Sequence, residues 1–418
     1  MCLTRRKLLG AAGAAMLTPA LAPVARATVS RSELRFLFVR VFGGWDTTRA
    51  FAPEFDNPGV AMESYARPAT AGGIGYVDAE ERPSVRQFFE RWHERTLIVN
   101  GLVVPSVNHR ICLQLAMSGS NAEAAADWPT LIATAQAERF GRPHVVAGGQ
   151  PSPGLLGSNV VRVGSNGQID SLLGGTIFAE SDLPVSGYSD EAEAILEAAV
   201  RREAEARAAA GVYGRQMRLN DAYVSALARS ATMRELRENV AWDTDGTFES
   251  QVDLAVDLLS QGLSRCVTIA HESQDWDSHE ANEAKQTTNF EELFSGLMYL
   301  LDELNSTPGA VAETVADETV VVVMSEMGRT PQENSVKGKD HWAHTTAMLV
   351  GPGVTGDRVV GAYDELFYGY KLDLASGEID DAGAELSPNV WGATLLALAD
   401  IDPREVLTDG APIEGVLS

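Results

Sequence analysis

Cysteine is nearly missing from this chain. There are three in 418 residues, and Cys2 lies in a stretch that reads as a removable leader, which leaves Cys112 and Cys266. One disulfide is the most that such a pair can form in an oxidising compartment, so a disulfide scaffold is excluded. Positive charge is short as well: 33 Lys and Arg face 58 Asp and Glu, for a formal net charge of −25. A body this acidic disfavours nucleic acid and anionic membrane surfaces as partners. Beyond the N-terminus no apolar run is long enough to cross a membrane. Histidine is scarce too, at seven, so places where several gather carry information.

What is present suits a folded domain. An apolar fraction of 45% supports a sizeable core, and the length fits one large α/β domain with insertions, or two domains. The first residues stand apart. Thr4-Arg5-Arg6-Lys7-Leu8-Leu9 precedes an Ala/Leu/Gly-rich run and then Ala25-Arg26-Ala27, an A-x-A cleavage signal. Adjacent arginines before a weakly hydrophobic run point to twin-arginine export, with an ordinary signal peptide or uncleaved anchor as the plainer reading. Residues 1–27 are therefore expected to be a twin-arginine signal peptide, with the translocase as a partner during export. The mature chain, residues 28–418, is expected to be periplasmic or otherwise exported, with no stable membrane span after cleavage. Losing Arg5, Arg6, Lys7 and Arg26 removes four positive charges and takes the net charge from −25 to −29. Twin-arginine export carries folded proteins, often with a cofactor loaded, which fits a metal site assembled in the cytoplasm.

Along the mature chain, strands and helices alternate. Leu34 to Phe42 reads as a strand broken by Gly43-Gly44 and followed by Trp45-Asp46-Thr47-Thr48. Glycine allows close backbone approach there, so Asp46 is placed to reach a ligand, or else to cap a helix. Residues 52–82 read as loop, Pro83 to Arg95 as a helix and Thr96 to Val104 as a second strand. His93, among charged neighbours, reads as a surface residue. Pro105 to Arg110 then leads into a helix ending at Gly119; Asn108-His109 at this turn is where backbone N–H groups face an anion. Residues 120–188 read as loops, short strands (144–146 and 160–163) and one helix around 130–139, with no catalytic role for His144. The Ala/Glu/Arg-rich stretch 189–239 reads as a solvated helical hairpin, an insertion covering or flanking the site. A helix over 248–263 precedes a short strand, Arg265 to Ala270. That strand empties into His271-Glu272-Ser273-Gln274-Asp275-Trp276-Asp277-Ser278-His279.

After a helix over 290–305, Thr319 to Met324 forms a valine-rich run that reads as a strand buried on both faces. It is followed by Ser325, Glu326, Gly328 and Arg329, then Asp340, His341 and His344. Arg358 to Ala362 and a last helix over 390–398 complete the pattern. The alternation predicts an α/β fold with a mainly parallel sheet sandwiched by helices. Ligands bind such sheets at the C-terminal edge of the strands. Four strand ends bring polar groups there: Asp46; Asn108 and His109; Asp275, Asp277 and His279; and Glu326 with Asp340, His341 and His344. Carboxylates and imidazoles gathered at one edge make a metal or hydrolytic site the leading expectation.

The order strand–Asp, strand–polar helix start, Asp-x-x-x-His, strand–acid and late His resembles the alkaline phosphatase-like superfamily, which includes sulfatases and cofactor-independent phosphoglycerate mutases. Asp275 to His279 has its Asp-x-x-x-His spacing, and His344-Thr345-Thr346 resembles the mutases' last metal ligand. More closely, the mature chain resembles a twin-arginine-exported family known as domain of unknown function 1501. The matching segments are Gly43-Gly44-Trp45-Asp46, His109 ahead of Ser118-Gly119, Trp276-Asp277-Ser278-His279, Ser325-Glu326-Met327-Gly328-Arg329-Thr330-Pro331 and Gly338-Lys339-Asp340-His341-Trp342. The resemblance implies one alkaline phosphatase-like domain over residues 28–418. This chain departs from it in two places. The nucleophile position falls near His109 rather than on a hydroxyl, with Ser106 and Thr47 nearby, and Glu326 stands where an Asp-His pair is usual.

The expectation is an exported metal-dependent hydrolase of phosphate or sulfate esters, acting on a small-molecule or polymer-borne anionic ester. Asp46, Asp277, His279, Glu326 and His341 are candidate ligands, with Asp275, Asp340 and His344 as alternates. Such carboxylate–imidazole sets suit Zn²⁺ or Mn²⁺, and a carboxylate-rich subset suits Mg²⁺ or Ca²⁺. The attacking group is a metal-activated water, or His109 acting as nucleophile; His109 could equally be base or ligand. Arg329 could clamp an anionic oxygen, or pair with Glu326 or Glu333. The alternative is a non-catalytic binding or assembly protein of the envelope that retains the fold and one metal.

Overall fold

The computed structural model describes residues 29–163, 189–211, 213–236, 240 and 244–418. The expected leader, residues 1–27, lies outside them, as do residues 164–188 of the glycine-rich stretch and residues 237–239 of the expected helical hairpin. No helix among the described residues is long and apolar enough to cross a membrane. Cys112 and Cys266 are both free and buried.

After β1 (Arg35–Val41) comes a hairpin of β2 (Arg67–Ala71) and β3 (Ile74–Asp78), then helix α1 (Pro83–Trp92) and β4 (Thr96–Val103). Helices α2 (His109–Ser118) and α3 (Trp128–Thr134) lead to two short strands, β5 (His144–Val146) and β6 (Val160–Arg162). The long helices α4 (Asp190–Ala209) and α5 (Arg215–Leu236) precede α6 (Phe248–Ser260), β7 (Cys266–His271) and α7 (Asn282–Ser306). The chain then runs through β8 (Thr319–Ser325), the two-residue strands β9 (Gly328–Arg329) and β10 (His341–Trp342), β11 (His344–Val350), β12 (Arg358–Val360) and α8 (Pro388–Leu398).

Eight strands form one sheet in the order β12-β4-β11-β8-β1-β7-β5-β6. Strand β11 is antiparallel to both of its neighbours, and the other pairings in this sheet are parallel. Residues two apart on a strand share a face, and the apolar strands use both. Leu37, Val39 and Val41 of β1 join Val321 and Val323 of β8 in a core beneath α1, α6 and α7. Phe36, Phe38, Val320, Val322 and Met324 face a second core built with α2, α3 and α8. The expected mainly parallel sheet flanked by helices is therefore present, made mixed by antiparallel β11. Continuous apolar runs are required because each strand is covered on both sides.

Two elements escape the sequence pattern. Residues 52–82, read as loop, contain the β2–β3 hairpin, whose strands are short and partly exposed. Its turn uses Gly72 at φ +54°, where a Cβ would lie 2.0 Å from the Asp357 carboxylate. His344 to Val350, given no element by the sequence pattern, is the buried strand β11; threonines and a histidine at its start mask the run Ala347 to Val350. Within the predicted helical hairpin, α4 and α5 pack on each other, and α5 lies against the turn Gly154–Asn159.

One buried histidine makes stability depend on pH. His144 opens β5 with its ring sealed between the hydroxyls of Thr130 (3.0 Å) and Thr268 (2.9 Å). Burial disfavours the imidazolium and pushes its pKa from 6.5 down to about 4. The unfolded chain thus takes up the proton first as pH falls. The stabilisation is complete above pH 6.5 and is lost between 6.5 and about 4, amounting to about 3 kcal/mol. Urea midpoints measured across this range should fall more steeply for the wild type than for His144→Gln, which keeps a polar group without a titrating ring. Equal slopes would show that His144 is not the cause.

Candidate metal centre

Strand register brings the polar segments to one edge. Val41 at the end of β1 is level with His271 of β7 and Ser325 of β8. Because β11 runs the opposite way, its first residue His344 pairs with Val103 at the end of β4. The segments after β1, β4, β7 and β8 therefore meet where an α/β sheet offers its ligand site.

Each histidine of the cluster is held from behind. His109 is the first residue of α2, whose start is set by the Asn108 side chain accepting from Ile111 N–H at 3.2 Å. Its Nδ1 faces the Glu326 carboxylate at 2.6 Å. Glu326 is itself buried, accepting from Gly43 N–H (2.9 Å) and from the Ser325 hydroxyl (3.0 Å). His341 turns its Nδ1 to the carbonyl of Val107 at 2.7 Å, and His279 turns its Nδ1 to Asp340 at 2.9 Å. Carbonyls and carboxylates only accept, so all three Nδ1 atoms carry a proton, and each Nε2 is the ring atom that offers a lone pair when the ring is neutral.

Those lone pairs converge on Asp277. Its Oδ1 is 3.1 Å from the Nε2 of both His279 and His341, and its Oδ2 is 3.4 Å from that of His109. The Nε2 atoms of His279 and His341 are 2.9 Å apart. The Nε2 of His109 is buried with no hydrogen-bond partner. Neutral lone pairs this close repel one another and the carboxylate unless a proton or a metal cation lies among them. Four ligands about 2 Å from a tetrahedral zinc stand about 3.3 Å apart, close to the separations seen here. His109, Asp277 and His341 have ligand atoms within 4.8 Å of one another, a three-residue group able to hold a divalent metal. The residues fit a metal.

The local field agrees with that fit. The hydrogen bond to Glu326 outweighs burial and raises the pKa of His109, so a positive charge is welcome at its ring. Burial alone would raise Asp277, but the Arg329 guanidinium and His341 overcome it and hold its carboxyl down at about 2. Asp277 is thus a carboxylate throughout the physiological range.

The other expected site residues sit elsewhere or act differently. Asp46 is fully buried, with Lys339 Nζ at 2.9 Å, Arg49 at 3.1 Å and Asn282 Nδ2 at 2.8 Å on the same oxygen, and Thr48 on the other. These cations overcome the effect of burial and hold its carboxyl well below the usual range. Its charge is balanced within the protein, and it does not join the imidazole cluster. Arg329 is also fully buried. It donates to the carbonyls of Gly43, Gly44, Trp276 and Lys339 and to Asp277 at 2.6 Å, so it faces the protein rather than an incoming anion. Glu326 and Asp340 stand behind histidines. Asp275 is exposed, 3.6 Å from Lys285. His344 accepts from Gly369 N–H at 3.0 Å, beside Tyr368 and Trp342.

Two residues that hold the site drew no attention in the sequence. Lys339 lies inside a quoted motif, yet a lysine beside an aspartate reads as a surface residue. Gln286 on α7 accepts from Asp46 N–H (2.8 Å) and donates to the Trp276 carbonyl and the Ser278 hydroxyl (2.9 Å each). It ties the segment after β1 to the segment after β7. No local pattern distinguishes such a glutamine from any other on a helix.

No curated protein sequence matches the chain significantly. Among solved structures it is similar to a protein in the alkaline phosphatase superfamily from Vibrio parahaemolyticus, at 9% identity and a TM-score of 0.39, over 88% of this chain and 67% of that one. It is also similar to the C-terminal periplasmic domain of EcEptC from Escherichia coli, solved in complex with Zn, at 10% identity and a TM-score of 0.35, over 80% and 77% of the two chains. Both are distant likenesses. A family profile described as "Protein of unknown function (DUF1501)" matches residues 187–407. That span covers just over half of the chain and includes Asp277, His279, Glu326, Arg329 and His341, so the chain belongs to the DUF1501 family.

Proposed function

We propose that this protein is a metal-dependent hydrolase of phosphate or sulfate esters that works outside the cytoplasm after twin-arginine export. One observation carries the reading: three imidazoles whose Nδ1 atoms are held by acceptors turn their Nε2 atoms onto one carboxylate, Asp277. His109, Asp277 and His341 would hold a divalent metal, and this imidazole-rich set suits Zn²⁺ or Mn²⁺ better than Mg²⁺ or Ca²⁺. Such a metal supplies Lewis-acid activation of an ester oxygen and of water. Glu326 and Asp340 orient the rings of His109 and His279, and Arg329 fixes Asp277.

The attacking group in this reading is water. Thr47 is buried and the Ser106 hydroxyl accepts from Asn108 N–H, and neither hydroxyl hydrogen-bonds to His109, Asp277, His279 or His341. With His109 as a ligand, the proton acceptor is His279. It lies outside the three-residue group and has 46% of its side chain exposed. Asp340 behind it keeps the proton on Nδ1, leaving Nε2 to receive one.

A second reading follows from the same distances. If His279 is a fourth ligand, four protein groups close the shell, as in structural metal sites, and the protein is a binding or assembly component of the envelope. His279→Ala separates the two. The hydrolase reading expects about one equivalent of metal, retained in the variant, and turnover of chromogenic phosphate or sulfate esters reduced about 10²–10⁴-fold. Loss of metal from the variant, with no ester turnover by the wild type, would establish the structural reading instead.

A further inference from the structure

A cavity of about 980 Å³ lies beside the histidine cluster. Phe42, Leu113, Pro151 and Ala270 supply apolar wall, and Phe42 also packs on His109 with ring centroids 5.3 Å apart. One further lining residue is out of place in such surroundings. Arg40 sits on β1 at 6% exposure, and its guanidinium donates only to the Gln150 carbonyl. Its Nε is buried without a partner, and no carboxylate lies within ion-pair distance of it among the described residues. Asp127, Glu326 and Glu272 act on it only through space, and their hydrogen bonds go elsewhere: Asp127 accepts from Thr130 and Ser152 N–H, Glu272 from Gly149 N–H, and Glu326 from His109. A buried cation with no carboxylate in direct contact is costly unless something else meets it.

From this we infer that the cavity binds the organic part of the substrate, and that Arg40 receives a second anionic group on it, a carboxylate, sulfonate or phosphate. The volume suits a molecule of drug-like size, for which pockets run about 300–1,000 Å³. An apolar wall with a few placed polar groups is the usual form of such a site; Arg110, Glu123 and Glu272 also line this one, but Arg40 is the buried charge among them, and the planar fork of arginine matches an oxyanion. The Phe42–His109 contact joins cavity to cluster, so an ester with its reacting group at Asp277 can extend toward Arg40. Assigning the occupant as substrate rests on the hydrolase reading; the anion selectivity of the cavity does not.

The test uses purified metal-loaded protein and two fluorescent probes. 1-Anilinonaphthalene-8-sulfonate carries the anion, and N-phenyl-1-naphthylamine is the same ring system without it. The sulfonate should bind at one saturable site roughly tenfold or more tighter than the neutral probe, as a charged hydrogen bond implies. Arg40→Met should erase that difference, whereas Gln114→Trp, at the cavity wall, should weaken both probes. Stripping the metal from the wild type with a chelator should leave both affinities unchanged, because the metal is not part of this subsite. Thermal melts check that each variant is folded. Equal affinity of the wild type for the two probes, or undiminished sulfonate selectivity in folded Arg40→Met, would overturn the proposal. If Arg40→Met does not fold, wild-type selectivity and its retention in Arg40→Lys decide. Selectivity without ester turnover would retain the anion site and remove its role with substrate, whereas turnover without selectivity would sink this proposal alone.

Discussion

Asp277→Asn is expected to strip the protein of divalent metal and of ester turnover together. Asp277 is the one carboxylate that all three Nε2 atoms approach, at 3.1, 3.1 and 3.4 Å. Asparagine has nearly the same shape but no charge. The Arg329 guanidinium, 2.6 Å from Asp277 Oδ1, would then repel a metal instead of steadying its ligand. Loss of a first ligand should exceed the roughly 10–100-fold cost typical of removing an outer hydrogen-bond partner. Glu326→Gln supplies that smaller comparison, since it keeps a partner for His109 and removes the charge. Elemental analysis and metal titration of the two variants read the difference directly. Full metal content in folded Asp277→Asn would place the cation elsewhere.

Asp46→Asn is expected to cost stability rather than metal. The substitution leaves the Lys339 ammonium fully buried with Thr48 as its remaining polar partner at 3.1 Å. Arg49 keeps Glu63, 3.5 Å away. Breaking one side of a buried ion pair costs about 3–5 kcal/mol, most of it the penalty of the charge left behind. Adding Lys339→Met removes that charge, so the double variant should recover part of the loss, with a coupling of about 1–3 kcal/mol. Urea unfolding of the four proteins measures the cycle. Metal content per folded chain should be unchanged in Asp46→Asn. Additive energies, or loss of metal with the fold intact, would return Asp46 to the ligand set.

These two experiments divide the site where sequence and structure divide it. Asp46 and Asp277 look alike along the chain, each an acid after a tryptophan just past a buried strand. In the fold, Asp46 meets Lys339, which arrives from the loop after β9, whereas Asp277 meets the Nε2 atoms of three imidazoles. Arg329 follows the same logic. An arginine near a cluster of acids suggests an anion clamp, but the carbonyls of Gly43, Gly44, Trp276 and Lys339 surround it. Whether a charge is already balanced depends on partners far along the chain, and spacing does not report them.

By itself the sequence determined the α/β alternation, the strands buried on both faces, and the edge at which His109, Asp277, His279 and His341 gather. Those features follow from local periodicity, turn residues and caps, which act over a few positions. Only the tertiary structure decided that β11 runs antiparallel, that Asp46 and Arg329 are satisfied internally, and that Arg40, with no carboxylate in contact among the described residues, lines a cavity beside the histidines. Each of these depends on which distant segments meet in the fold, and on which charges remain unanswered when they do.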